Sequence, residues 1–318
     1  MENNQLIVEV DARMVAPDHP VSESEQRVTE IASLKLETRS LWGDVWRQMR
    51  RNRFAIAGII ILVILILIAI AAPWIAPHDP YALDLKAALQ PLNSPGHLLG
   101  TDDLGRDLLS RLIYGARISL TVGIIVVGIA GSIGVTLGAL SGYYGGLVDH
   151  IIMRVVDVLY AFPFLILAIA AVAVLGPSLT NMMLVLGLVS WISYARLVRS
   201  SVLSLREADF VMAARSTGAT DWRIIWQHIL PNTVGIVVVQ ATFGVAAAIL
   251  AAAGLSFLGM GAQPPTAEWG AMLNKGREFL RVRPVLSIAP GLMIMITVLA
   301  INFVGDALQD AFDPRIRR

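Results

Sequence analysis

Apolar positions come in long unbroken blocks. Near-continuous runs of Ile, Leu, Val and Ala occupy 54–72, 117–140, 155–175, 181–198, 233–258 and 285–305. About 20 such residues, rising 1.5 Å each, cross the roughly 30 Å hydrocarbon core of a bilayer. The pattern therefore predicts an all-α polytopic membrane protein with six transmembrane helices. Polar blocks divide the chain into an acidic tail at 1–40, a segment at 41–116 holding a surface helix, the first span and an exported loop, a core at 117–306 with a polar loop at 199–232, and a C-terminal tail at 307–318. Pro73 and Pro77 are expected to end the first span, because proline lacks the N–H that a helix interior needs.

Composition agrees. The chain is 56% hydrophobic and only 15% charged, where soluble domains carry about a quarter charged residues. A net charge of +1, with no basic patch interleaved with aromatics, gives no footing for nucleic acid. The absence of cysteine excludes disulfides, thiolate metal sites and cysteine nucleophiles. The first forty residues carry eight acids against four bases, which predicts a disordered or loosely helical tail and no cleavable signal peptide.

Charge also sets orientation. Trp42 and Trp46 with Arg47, Arg50, Arg51 and Arg53 form a basic, aromatic surface helix ahead of the first span, which places the N-terminus in the cytoplasm. Alternation then puts the 199–232 loop inside, near Arg196, Arg199, Arg206, Arg215 and Arg223, and the C-terminal Arg315, Arg317 and Arg318 inside as well. Lys275, Arg277, Arg281 and Arg283 in the 259–284 loop oppose this topology, but the first span usually dominates.

The polar loop has internal order. Phe210, Ala213, Ala214 and Thr217 share one helix face of mostly small residues, Gly218 permits a sharp turn, and Thr220 or Asp221 can cap a second helix. Trp222, Ile225, Trp226 and Ile229 line one side of that helix, which Pro231 is expected to stop. Two amphipathic helices lying on the membrane would show the same pattern.

Within the second run, Gly134, Gly138 and Gly142 recur every four residues, a stripe that allows close helix packing within the chain or against a partner. Asp149, Arg154 and Asp157 cluster at the start of the third run, and the one-turn spacing of Arg154 and Asp157 predicts a mutual ion pair. No carboxylate lies mid-span, so an ion-coupled relay has little support. The five histidines (His19, His78, His97, His150 and His228) are scattered without metal-ligand spacing. There is no nucleophile elbow, and none of Lys35, Lys86 and Lys275 follows a glycine, so the chain has no phosphate-cradling loop.

Ala213 and Ala214, three residues, Gly218, then Leu230 and Pro231 resemble the coupling loop of ABC-importer permeases, with Met212 and His228 standing where that family has Glu and Ile. The run from His97 to Arg111 continuing through Arg117 to Leu120 is similar to the segment before the second span in C-type permeases of dipeptide, oligopeptide and nickel importers. Leu255 to Gly259, Gln263 to Pro265, Trp269-Gly270, and the ending Gly305-Asp306, Asp310 and Asp313 to Arg315 resemble the same family, so the likeness covers about 45–318.

The resemblance implies a type I ABC-importer permease fold in a bacterial or archaeal cytoplasmic membrane. It implies a second, homologous permease, two cytoplasmic ATPases holding ATP and Mg, and an extracytoplasmic substrate-binding protein as partners. The chain itself would bind no cofactor or metal. Phe210, Val211, Met212, Ala213, Ala214, Arg215, Gly218, Leu230 and Pro231 would contact an ATPase. The exported loops, 73–115 and 259–284, either dock the binding protein or pack on each other as a cap, and Asp102, Arg106 and Asp107 suit a local ion-pair network. Peptides lead as substrate, with nickel complexes, glutathione-like peptides and oligosaccharides as alternatives. A self-sufficient carrier would show internal repeats, and none is visible.

Overall fold

A computed structural model describes residues 41–312, and within them the chain is almost wholly helical. The acidic tail at 1–40 and the terminal arginines at 315, 317 and 318 lie outside the described residues. The surface helix is α1, Leu41–Met49, and α2 is Arg53–Ile75. The core follows as α3 (Leu108–Tyr144), α4 (Gly146–Tyr160), α5 (Phe164–Leu175) and α6 (Leu179–Leu205). Then come α7 (Asp209–Ser216), α8 (Asp221–Arg223), α9 (Leu230–Phe257), α10 (Trp269–Gly276) and α11 (Val285–Phe312).

Among the described residues, five helical stretches are long and apolar enough to cross a membrane, α2, α3, α6, Asp221–Phe257 and α11, and α4 with α5 makes a sixth if the bent pair is one span. The expected third span is instead two helices, α4 and α5, meeting at 89°. Pro163 explains the break, since a proline disfavours helical geometry at the residue before it and removes a donor. Twelve residues in α5 reach only about 18 Å, so α5 alone cannot span the core. Pro73, by contrast, does not end α2, which continues to Ile75 with Ala76 N–H still bonding the Ala72 carbonyl.

The ends of α2 and α3 are fixed by side-chain caps. Asn52 Oδ1 accepts from the backbone N–H of Phe54 and Ala55, and Asp107 Oδ2 accepts from Ser110 N–H at 2.7 Å. One face of α2 is small and buried (Ala55, Gly58, Ala69, Ala72), while Ile60, Ile64, Leu67 and Ile70 point away from the protein, as a helix bordering lipid requires. Gly58 packs on the Ala300 carbonyl of α11.

The glycine stripe is an internal seam. A Cβ on Gly134 would lie 2.5 Å from the Trp191 carbonyl, one on Gly138 would lie 2.5 Å from that of Ala195, and one on Gly142 would lie 2.9 Å from that of Arg199. The steps of four match on both helices, so α3 and α6 touch along their backbones. Helix α3 also runs through residue 116, so the segment expected to end there is continuous with the core. The described residues from Asp44 onward form one compact unit.

Candidate functional site

The loop after α6 is built on one buried side chain. Val211 of α7 is fully buried among Tyr143, Val198, Val202, Ile224, Ile225 and Leu230. Tyr143 reinforces the anchor: its hydroxyl donates to Asp221 Oδ1 at 2.7 Å, and the Arg215 guanidinium stacks over its ring at 5.2 Å. Val211 and Leu230, both expected to contact a partner, are buried in this cluster and anchor the loop. Phe210, Met212, Ala213, Arg215, Gly218 and Pro231 are exposed, and Ala214 is half-buried against the anchor cluster. Gly218 turns the chain at φ +80°, in the left-handed region that suits glycine, and nothing lies within 4 Å of where its Cβ would sit.

The second helix of the loop departs from expectation. Residues Ile224–Ile229 form a π-helix, with Leu230 N–H reaching back five residues to the Ile225 carbonyl. Pro231 then occupies the first turn of α9, where a missing N–H costs nothing, so the chain passes from loop to span without a stop. The wider π turn also splits the expected single face. Ile225 and Ile229 are buried, while Trp222 and Trp226 are exposed and pack ring to ring at 5.2 Å.

Ion pairs join α4 to α6. Asp149 takes two hydrogen bonds from Arg199, one at 2.7 Å, and a third from Ser141. Asp157 pairs with Arg196 at 2.8 Å, and Arg196 stacks over Tyr160 at 4.3 Å. The expected Arg154–Asp157 pair is thus replaced by a cross-helix pair, and Arg154 instead approaches His150. A planar guanidinium reaching from a neighbouring helix outcompetes the in-helix partner, because it adds ring stacking to the charge.

A cavity of about 480 Å³ opens beside this seam. Tyr160, Phe162 and Phe164 reach it from the α4–α5 break, Ser190, Ser193 and Tyr194 from α6, and Gln240 and Gly244 from α9. Tyr194 hydroxyl donates to the Gln240 carbonyl at 3.4 Å. Among the described residues, no charged side chain lines the cavity. These aromatic and hydroxyl positions were not singled out from the sequence, although the proline at the break marks their place.

The loops at 73–115 and 259–284 pack on each other. Asp102 pairs with Arg106 at 2.7 Å and lies 3.5 Å from Arg111. Arg111 donates to the carbonyls of Pro80 and Pro265, and Arg283 donates to that of Leu89 at 2.7 Å. Trp269, fully buried, donates to the Leu112 carbonyl at 3.0 Å, and Glu268 caps α10 through Gly270 and Ala271 N–H. In the sequence Arg111 stood out only as the end of the run from His97 that resembles the family segment. His78 and His97, nineteen positions apart and read as scattered, have ring centroids 4.7 Å apart beside Asp107.

A family model described as the binding-protein-dependent transport system inner membrane component matches 134–318, more than half of the chain. The chain belongs to that family. A second model, the N-terminal transmembrane domain of oligopeptide transport permease C, matches 40–92. A dipeptide transport system permease protein of Alkalihalophilus pseudofirmus is 46% identical over 278 residues, 87% of this chain and 91% of the relative. A glutathione transport system permease protein of Escherichia coli is 46% identical over 281 residues, 88% of this chain and 93% of the relative. One from Pectobacterium atrosepticum is 44% identical over 279 residues, covering 88% and 93%. Among solved structures, the inward-facing MetNI methionine ABC transporter aligns at TM-score 0.51 with 19% identity, over 64% of this chain and 96% of that one. At that identity the likeness speaks for the fold. The chain is a multi-pass permease subunit of a binding-protein-dependent ABC importer, with the fold of such permeases.

Proposed function

We propose that this permease forms half of the path by which small peptides enter the cytoplasm, the other half being a homologous permease. An extracytoplasmic binding protein delivers the peptide, and two cytoplasmic ATPases, holding ATP and Mg, drive the cycle. The chain sits in the cytoplasmic membrane with both termini inside, so the loop carrying α7 faces the ATPases. One observation carries this reading: a short helix clamped by Val211 that leaves Phe210, Met212, Ala213 and Gly218 exposed. Small exposed residues let a partner's surface come close to the helix backbone, while the buried anchor makes the helix move with the spans it joins.

The peptide substrate is supported by the named activities of the similar dipeptide and glutathione permeases, together with an aromatic, hydroxyl-bearing, uncharged cavity. Such walls pass backbone amides without trapping either terminus. The test is Ala213→Asp, an exposed position where the fold tolerates the change. The variant should insert normally, lose co-purification of ATPase subunits, and lose uptake of radiolabelled dipeptide. Normal uptake by this variant overturns the docking role. Full ATPase recovery with no dipeptide uptake by the native complex overturns the substrate assignment.

A further inference from the structure

We propose that His78, His97 and Asp107 form a binding site for a borderline divalent metal ion, Zn²⁺ foremost, on the exported side of the protein. Three ligand atoms converge from three separate stretches: the chain just past α2, the turn at 97, and the cap of α3. His97 Nδ1 lies 2.9 Å and His78 Nδ1 lies 3.8 Å from the same oxygen, Asp107 Oδ1, and all three ligand atoms lie within 4.8 Å of one another. Tetrahedral zinc with bonds of about 2.0–2.1 Å needs ligand atoms about 3.3 Å apart. Small side-chain rotations therefore bring the set to coordination distance.

A plain His97–Asp107 hydrogen bond accounts for one imidazole. It leaves unexplained why the second turns its Nδ1 toward the same oxygen at a distance too long for a hydrogen bond. The carboxylate is already oriented as metal ligands are. Its other oxygen, Oδ2, accepts from both the N–H and the hydroxyl of Ser110, each at 2.7 Å, which leaves Oδ1 to face the histidines. Ser110 hydroxyl also accepts from the backbone N–H of His78 at 3.0 Å, so one residue holds the Asp107 carboxylate and the His78 backbone together.

The surroundings suit an exchangeable ion. Asp107 has its side chain 1% exposed and His97 17%, whereas His78 is 41% exposed and gives an entry path. Two imidazoles and one carboxylate select zinc, nickel, cobalt or copper over magnesium and calcium, which prefer all-oxygen shells. Three protein ligands leave a fourth position for water. The bound ion would tie the loop after α2 to the start of α3, close to the Asp102–Arg106–Arg111 network.

The experiment is Zn²⁺ titration by calorimetry of the untagged complex, stripped with chelator, with Co²⁺ absorption as a second readout of coordination. Native protein should bind Zn²⁺ at this site, not Mg²⁺, and Co²⁺ should give the visible bands of a tetrahedral nitrogen–oxygen site. His78→Ala, the exposed ligand, should abolish both signals with the fold intact, and Ser110→Ala should weaken binding by about 10- to 100-fold. His150→Ala and His228→Ala should change nothing. Absence of Zn²⁺ binding, or binding unaltered in both His78→Ala and His97→Ala, overturns the proposal. Neither readout involves transport or ATP, so failure here is separate from failure of the peptide reading.

Discussion

Gly138→Ala tests the seam on which the core depends. The new methyl carbon would sit 2.5 Å from the Ala195 carbonyl oxygen and 3.0 Å from both Ala195 Cα and Val198 Cβ. Two of these three contacts are with backbone, so no side-chain rotation relieves them. Helices α3 and α6 must separate by roughly 1 Å to restore ordinary contact, which also loosens the flanking contacts at Gly134 and Gly142. Overpacking of this kind costs about 1–3 kcal/mol, against a helix-propensity gain from alanine of at most about 1 kcal/mol. Gly128→Ala is the matched control: it lies in the same helix, and nothing is within 4 Å of its added Cβ. At about 2–4 °C per kcal/mol, Gly138→Ala should melt about 2–12 °C below Gly128→Ala in detergent, followed by tryptophan fluorescence. Equal melting temperatures for the two variants would refute the backbone-to-backbone seam.

Two further expectations concern the loop and the exported cap. Val211→Ala removes two buried methyl groups and should cost about 2 kcal/mol of stability, whereas Phe210→Ala, at an exposed position, should leave the melting temperature unchanged and reduce ATPase recovery; the reverse pattern would exchange anchor and contact. Burial raises the Glu268 carboxyl above its ordinary value of 4.5, despite two backbone N–H bonds that oppose the shift. The folded protein therefore keeps this proton above the pH at which the unfolded chain releases it, and stability falls as pH rises from about 4.5 through the raised value. Glu268→Gln should flatten the dependence of melting temperature on pH in that window, and an unchanged slope would assign the dependence elsewhere.

Block hydropathy made most of the fold legible, because a bilayer forces every spanning segment to be long and apolar. Hydropathy marked the third run as a span but does not show the bend within it. Composition across 155–175 is uniform, yet Pro163 bends the chain there by 89°. The loop was legible as helix, turn and helix because Gly218 and the small face are local signals. The anchoring of Val211 was not, since its partners lie on other elements, α3, α6 and the π turn, and no local spacing shows which of them meet it. Ion pairing failed for the same reason: spacing showed Arg154 beside Asp157, but Arg196 and Arg199 arrive from another helix. Likewise His78, His97 and Asp107 have no short-motif spacing and meet only when the exported loop closes.

The parts form one mechanical path. Val211 ties α7 to Val198 and Val202 of α6 and, through Ile225 and Leu230, to the start of α9. The glycine stripe then holds α6 to α3 at backbone contact, where neither helix can slide without breaking several contacts at once. Tyr194 sits on that seam, touching the Gly134 position, and its hydroxyl reaches α9 at Gln240 inside the cavity. A displacement imposed on α7 is therefore carried by α6 and α9 together, and the cavity wall they share moves with them. The π turn at Ile224–Ile229 interrupts the α-helical ladder of this path where the loop joins α9.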